Sequence, residues 1–392
     1  MHLNSKTSAK RNLMLALGVF SMIFAGVIYA WSIIKAPLAD EFGWSASELA
    51  LNFTLTMCAF CLGGFLGSIL SKKLGVKLST VASGIIAGMG FILTGALGAG
   101  SHIALLYLTY ALMAGGGIGI VYNVIISSVN AWFPDKKGLS SGALMMGFGF
   151  TTLTLGYLFV KLFDVEALGW ERVYFIYGTI LALIILVQAF ILKMPQVQSK
   201  TASESESDMT ALQMVKRFSF WKLFIFFALF ASVGSTAIAG AKIQFMTLGA
   251  VQSAAFLAGI LTVCNGIGRI VSGAFFDKFG RRKTQYITSA VVICATALTL
   301  IGYAAELTVI GCIGLCLCGF SYGFSPTTSA AFAAEFYGPR NFPLNFSILN
   351  LVLIPASFVP TILNSLSGTA TFAVLVAFSV VGLGINLTIR KP

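Results

Sequence analysis

The sequence predicts an all-α integral membrane protein, with twelve transmembrane helices arranged as two six-helix bundles. Three observations carry that expectation. Of 392 residues, 57% are hydrophobic and only 10% are charged, whereas soluble domains carry roughly a quarter charged residues. The apolar residues fall into runs long enough to cross a hydrocarbon core of ~30 Å, which takes about 20 residues as a helix. The basic residues, finally, are confined almost entirely to alternate loops.

Along the chain the apolar runs lie near 12–34, 48–70, 78–99, 103–131, 138–162 and 172–193. They resume near 220–243, 252–276, 284–304, 307–334, 342–364 and 368–389. Each run is continuously apolar, which suits a helix; barrel strands would alternate, and nothing else satisfies backbone groups in lipid. The first run, from Asn12 to Ile34, is long for a signal segment and is followed by no small-residue cleavage site, so it is expected to be retained. With the N-terminus in the cytoplasm, all of the 25 Lys and Arg residues except Lys35, Lys161, Arg172, Lys242 and Arg269 fall on inner loops and tails. That asymmetry places both termini on the cytoplasmic side of a cell inner membrane, with lipid as the surrounding partner. Trp31, Trp44, Trp132, Trp170 and Trp221 stand at or near span ends, as an aromatic belt requires. The net charge of +12 is therefore topological, and no nucleic-acid partner is expected.

The longest interior polar stretch, 194–218, contains Ser199–Asp208 and has a Ser/Glu composition that cannot bury a core. It is expected to be a flexible cytoplasmic linker between an N-terminal bundle, 1–193, and a C-terminal bundle, 219–392. A weak repeat supports the division: Lys73-Leu74-Gly75-Val76-Lys77 follows the second span and Lys278-Phe279-Gly280-Arg281-Arg282 follows the eighth. Parallel repeats of this kind imply a substrate site near the midplane between two bundles that rock about it.

Several other functions are excluded. All seven cysteines lie inside apolar spans, and the only histidines, His2 and His102, are terminal or in a loop. The Cys58-x-x-Cys61 pair thus reads as buried small hydrophobes, and no metal or cofactor is expected. Gly117-x-Gly119 has no preceding strand and is no dinucleotide fingerprint; no nucleotide-binding loop is present either. No cluster of His, Cys or paired acids marks an enzyme, and the short tails offer no output domain for a sensor. A monomeric carrier is expected. The glycines of the spans, among them Gly63, Gly67, Gly116 and Gly119, are expected at close helix crossings.

Two sets of motifs carry a family resemblance. Gly273-x-x-x-Asp277-Lys278-x-Gly280-Arg281-Arg282 resembles the conserved loop of the major facilitator superfamily. An Asp at a helix end can pair with nearby arginines and a neighbouring helix N-terminus, so these six residues are expected to form a conformational latch. In the first half Ser68 and Lys72 replace the glycine and the acid, and that copy of the latch is expected to be lost. Within the superfamily, Tyr29-Ala30-Trp31-Ser32, Pro37-Leu38, Phe42-Gly43-Trp44-Ser45, Gly117-Ile118-Gly119-Ile120-Val121-Tyr122 and Trp132-Phe133-Pro134-Asp135-Lys136-Lys137-Gly138-Leu139-Ser140-Ser141-Gly142 resemble the oxalate/formate antiporter family, in the same order over nearly the whole chain.

The best functional pointer is Arg269, well inside the eighth span and roughly two turns from its cytoplasmic end. A guanidinium cannot shed its charge by losing a proton, and an ionisable group within a span is costly unless used. The acids of the sequence fall in loops, tails and span ends, so the expected counter-charge is a carboxylate substrate held by two parallel hydrogen bonds. The bland alternative is that Arg269 bonds backbone carbonyls or snorkels. Asn265, four residues earlier on the same helical face, would orient the guanidinium or bond the substrate.

The resemblance implies that Arg269 is the carboxylate-binding arginine of the family. It also implies hydroxyl donors at Tyr29 and Tyr122, with Tyr322 of the tenth span a weaker candidate; packing is the alternative for all three. Lys242, near the outer end of the seventh span, would attract or bind anions unless it merely snorkels, and Lys35 and Lys161 carry less weight. Oxalate-carrying members have a lysine in the eleventh helix, where alignment through Arg340-Asn341-Phe342 places Leu349, with Asn345 and Asn350 nearby. Phe346 and Cys318 stand at positions of their tryptophan cage.

One arginine without that lysine suits a monocarboxylate such as formate, lactate or pyruvate. The expected function is thus secondary active or facilitative transport of a small carboxylate by alternating access. The alternatives are an oxalate or dicarboxylate:formate exchanger, or a major facilitator carrier of a non-anionic solute. Exchange against a counter-anion, or uniport, is expected over tight proton symport, although a proton can travel on the substrate itself. Pro326, Pro343, Pro355 and Pro360 are expected to bend or break spans ten and eleven as gating elements.

Overall fold

The structure, a computed structural model, describes residues 5–193, 208–363 and 365–390. Ten helices among the described residues are long and apolar enough to cross a membrane. Two of them, Ala46–Gly95 and Ala254–Ala304, run for 50 and 51 residues. At 1.5 Å per residue one straight helix of that length would measure about 75 Å, over twice a hydrocarbon core. Each holds one residue outside the helical region, Gly75 (φ 82°, ψ 162°) and Gly280 (φ 74°, ψ 173°). That backbone conformation is nearly restricted to glycine. The chain is thereby divided at 46–74 and 76–95, spans two and three, and at 254–279 and 281–304, spans eight and nine. With these divisions the ten helices supply the twelve predicted spans.

Local chemistry explains where the spans begin and where they deform. Ser45 and Glu48 cap the start of span two reciprocally, the Glu48 amide donating to Ser45 Oγ (3.3 Å) and the Ser45 amide to Glu48 Oε2 (2.9 Å). Ser367 caps span twelve through the Ala370 amide. Span one tightens to a 3-10 turn at Gly26–Ala30, and span four widens to a π-helix over Tyr107–Gly115. Span eleven is interrupted at 351–352, between Phe342–Asn350 and Leu353–Leu363. Pro355 accounts for the break, since it offers no amide to the Leu351 carbonyl and its ring crowds that oxygen. Pro343 stands in the first turn of Phe342–Asn350, where a missing amide costs little. Pro326 and Pro360 lie inside helices that continue past them.

Large apolar side chains are turned outward along the spans, among them Leu183, Val187 and Phe190 on span six and Val380, Val381 and Leu387 on span twelve. Surfaces of this kind suit acyl chains and would be a liability in water. The chain is a multi-pass membrane protein.

The fold divides into two compact units: Met1–Pro134 with Gly147–Thr201, and Asp135–Met146 with Ala202–Pro392. Asp135–Met146, which opens span five, groups with the second unit. In the first unit Gly63 and Gly119 pack directly on the backbone carbonyls of Gly116 and Phe60, joining spans two and four. The repeat reaches atomic detail at the two basic turns. Ser79 Oγ donates to the Gly75 carbonyl (2.9 Å) in one unit, and Thr284 Oγ1 donates to the Gly280 carbonyl (2.9 Å) in the other.

Of the linker read at 194–218, residues 194–207 lie outside the described residues. Residues 208–218 are folded, in contrast to the flexible segment their composition suggests. Thr210 and Gln213 cap the helix Ala211–Val215. The Met209 amide donates to the Tyr337 carbonyl (3.0 Å), and Asn341 Nδ2 and Asn345 Nδ2 donate to the Met209 carbonyl (3.1 and 3.0 Å). The Arg340 amide donates to Asp208 Oδ1 (3.1 Å). Composition cannot reveal these partners, because they come from the far ends of spans ten and eleven.

Candidate functional site

Arg269 lies in the second unit on span eight, 2% exposed despite its size. Eight residues of helix, about 12 Å, separate it from Asp277. Its Nη1 donates to the Met145 carbonyl (2.7 Å) and its Nε to Asn265 Oδ1 (3.4 Å). Asn265 therefore holds the guanidinium's edge, as their four-residue spacing implies. The Met145 contact is of the kind the bland alternative foresees, a backbone carbonyl; it also fixes one face of the group.

Three spans meet around this arginine. Gly142 of span five packs against the Arg269 carbonyl, and Gly323 of span ten packs against the Asn265 carbonyl and the Arg269 amide. Thr327 Oγ1 approaches Met145 Sδ at 3.7 Å. Lacking side chains, the glycines let the helices come close enough to enclose a charged group.

One helical turn below, the same crossing carries the proposed latch. Gly273 and Gly138 lie backbone to backbone. Asp277 accepts hydrogen bonds from the amides of Gly138 (2.9 Å) and Leu139 (2.7 Å). It thus caps the N-terminus of the helix Lys137–Thr151, where a carboxylate meets free amides and the positive end of the helix dipole. The latch cations face elsewhere: Lys278 lies over Phe279, Arg281 pairs with Glu335 (3.4 Å), and Arg282 Nε donates to Tyr286 Oη (3.4 Å).

The remaining candidates are placed as follows. Lys242 is exposed on the short helix Ala241–Thr247. Tyr322 packs its ring on Gly234, and Phe346, fully buried, stacks on Phe342 at 5.5 Å. Leu349 is fully buried. Tyr29 and Tyr122 belong to the first unit, where the structure brings both onto one ring: Phe148 lies 5.5 Å from Tyr29 and 5.2 Å from Tyr122, and Phe60 completes the cluster 4.9 Å from Tyr122.

Sequence reasoning missed the roles of Gly138 and Gly142, which it treated only as part of a family signature, and of Met145, which it did not single out. A signal existed. Gly138 and Gly142 are four residues apart, as are Arg269 and Gly273, so each pair marks one helical face.

The family signature of the Major Facilitator Superfamily matches residues 14–360. The chain is 29% identical over 345 residues to the oxalate:formate antiporter of Oxalobacter formigenes, covering 84% of this chain and 79% of that protein. It is 28% identical over 337 residues to YhjX, an uncharacterised MFS-type transporter of Escherichia coli, covering 85% and 82%. Monocarboxylate transporter 1 of Mus musculus is 22% identical over 395 residues, covering 90% and 78%. Among solved structures, the transporter FucP in its outward conformation superposes with a TM-score of 0.73 at 16% identity, covering 98% of this chain and 100% of that one. At that identity the likeness concerns the fold. A match that runs from the first span into the eleventh, on a fold of this kind, makes the chain a membrane transporter of the Major Facilitator Superfamily.

Proposed function

We propose that this transporter carries a small monocarboxylate, such as formate, lactate or pyruvate, by alternating access, with Arg269 binding the carboxylate. The observation that supports this reading is a permanently charged guanidinium enclosed within a membrane span and oriented by Asn265 and the Met145 carbonyl. Burying such a group is costly, and a planar fork of donors matches a carboxylate better than any neutral solute. The relatives named for oxalate, formate and monocarboxylates point to the same chemical class. Leu349, buried and apolar where oxalate-carrying members resemble this chain but hold a lysine, favours one carboxylate over two.

Exchange of a dicarboxylate for formate is the second reading, favoured by the 29% identity to the oxalate:formate antiporter. Counterflow in proteoliposomes with labelled mono- and dicarboxylates separates the two. Preferred exchange of a monocarboxylate, lost in Arg269→Gln, is the expected result. Preference for oxalate over every monocarboxylate selects the second reading, and full uptake in Arg269→Gln removes the arginine from both. Arg269→Lys keeps the charge but loses the fork, so it is expected to fall between wild type and Arg269→Gln.

A further inference from the structure

At the end of the second unit that carries the basic turn, span nine begins beside the close of span twelve. Between them lies a cavity of about 350 Å³ lined by Arg281, Arg282, Gln285, Asn386 and Arg390, with Leu387 on its edge. Three arginines thus line one space, and Arg281 is paired with the Glu335 carboxylate. Asn386 is tied back through Nδ2 to Ser289 Oγ (3.0 Å). Gln285 is only 6% exposed, yet its Nε2 meets no acceptor among the described residues. A buried amide donor without an acceptor costs about 1–3 kcal/mol, and Gln285 is one of the residues that line this arginine-rich cavity. The first amides of span nine, 281–304, add the positive end of a long helix.

We infer that this cavity binds a phosphate-type oxyanion, whose oxygens accept from Gln285 Nε2 and from the arginine forks, and that its source is the headgroup of an anionic phospholipid. The rim supports that source. Leu387 is 63% exposed and Tyr286 37% exposed beside the arginines, which suits a glycerol backbone and acyl chains. An adjoining cavity of about 540 Å³ shares Leu387 and Arg390 and adds Arg217 and Lys222. Basic pockets at the membrane boundary between spans are where anionic headgroups are held. Latch residues Arg281 and Arg282 would then report the lipid around the carrier.

The test uses the purified full chain in detergent. Native mass spectrometry measures retained phosphatidylglycerol against phosphatidylcholine, and thermal unfolding without lipid measures stabilisation by inorganic phosphate. Wild type is expected to retain phosphatidylglycerol selectively. The R282Q/R390Q variant, altered at exposed side chains, is expected to lose about tenfold or more of that retention. Gln285→Leu, which changes no charge, is expected to lose about threefold or more, and K72Q/K73Q, a basic pair outside the cavity, to match wild type. Stabilisation by millimolar phosphate with the same variant sensitivity supports the oxyanion site but assigns a soluble source. Equal loss in K72Q/K73Q, or unchanged retention in both cavity variants, overturns the proposal.

Discussion

Gly138 and Gly273 lie backbone against backbone, each so close that a Cβ on either would run into the other's carbonyl oxygen. They come from the two motifs by which the sequence is recognised, and they bring the start of span five onto span eight. Their contact sets the height at which Asp277 reaches the amides of residues 138 and 139 and at which Met145 reaches Arg269.

Gly273→Ala is therefore expected to destabilise the protein by about 1–3 kcal/mol, because a close-packed crossing must open. The thermal midpoint of the purified carrier measures this. Gly98→Ala, where nothing lies within 4 Å of the added methyl, is expected to leave the midpoint in place. A midpoint unchanged by Gly273→Ala would mean that the crossing relaxes freely.

Asp277→Ala removes the cap from the helix Lys137–Thr151 and is expected to cost about 1 kcal/mol, within a range of about 0.5–2. Asp277→Asn keeps an acceptor but loses the charge–dipole attraction, so it should cost less. Hydrogen–deuterium exchange at the amides of Gly138 and Leu139 should speed up in the order wild type, Asn, Ala. Identical exchange in all three would show that the cap contributes nothing.

The two basic turns demand glycine for a different reason. Gly75 and Gly280 combine φ of 82° and 74° with ψ of 162° and 173°, a region in which any Cβ costs about 1–3 kcal/mol. Asparagine, tolerated in left-handed helical turns, should not rescue either position. At Gly43, with φ 63° and ψ 20°, Asn should be accepted far better than at Gly280. Equal thermal midpoints for Gly43→Asn and Gly280→Asn would contradict this.

Leu349→Lys tests the size of the cargo. If a second cation is what separates carriers of two carboxylates from carriers of one, the ratio of oxalate to formate counterflow should rise about tenfold, the effect of ~1.4 kcal/mol of added attraction. Leu349→Met, close in volume, serves as the folding control. A folded Leu349→Lys protein with an unchanged ratio would detach this position from substrate choice.

Much of the fold was legible because membranes impose a simple physical rule. A span must be apolar for about 20 residues and helical throughout, so the twelve spans could be read from composition in windows. The two long helices illustrate the limit. Ala46–Gly95 and Ala254–Ala304 each join two spans with no intervening loop, and only the backbone at Gly75 and Gly280 divides them. The break in span eleven was foreshadowed by Pro355. The helix at Ala211–Val215 was hidden, because its surroundings are polar and its anchors, Tyr337, Asn341 and Asn345, are over a hundred residues away.

By itself the sequence determined the number of spans, the repeat of its basic turns, the family, and the burial of a single arginine in span eight. These follow from local composition and from solvent, which act on each segment without reference to the others. Tertiary structure alone decided that Arg269 touches the Met145 carbonyl, since that partner lies 124 residues away. It also decided that Asp277 caps span five and that Gln285 lies among the arginines that line a cavity. Such pairings depend on how closely two helices cross, and that distance is set jointly by side chains on both, where no single segment records it.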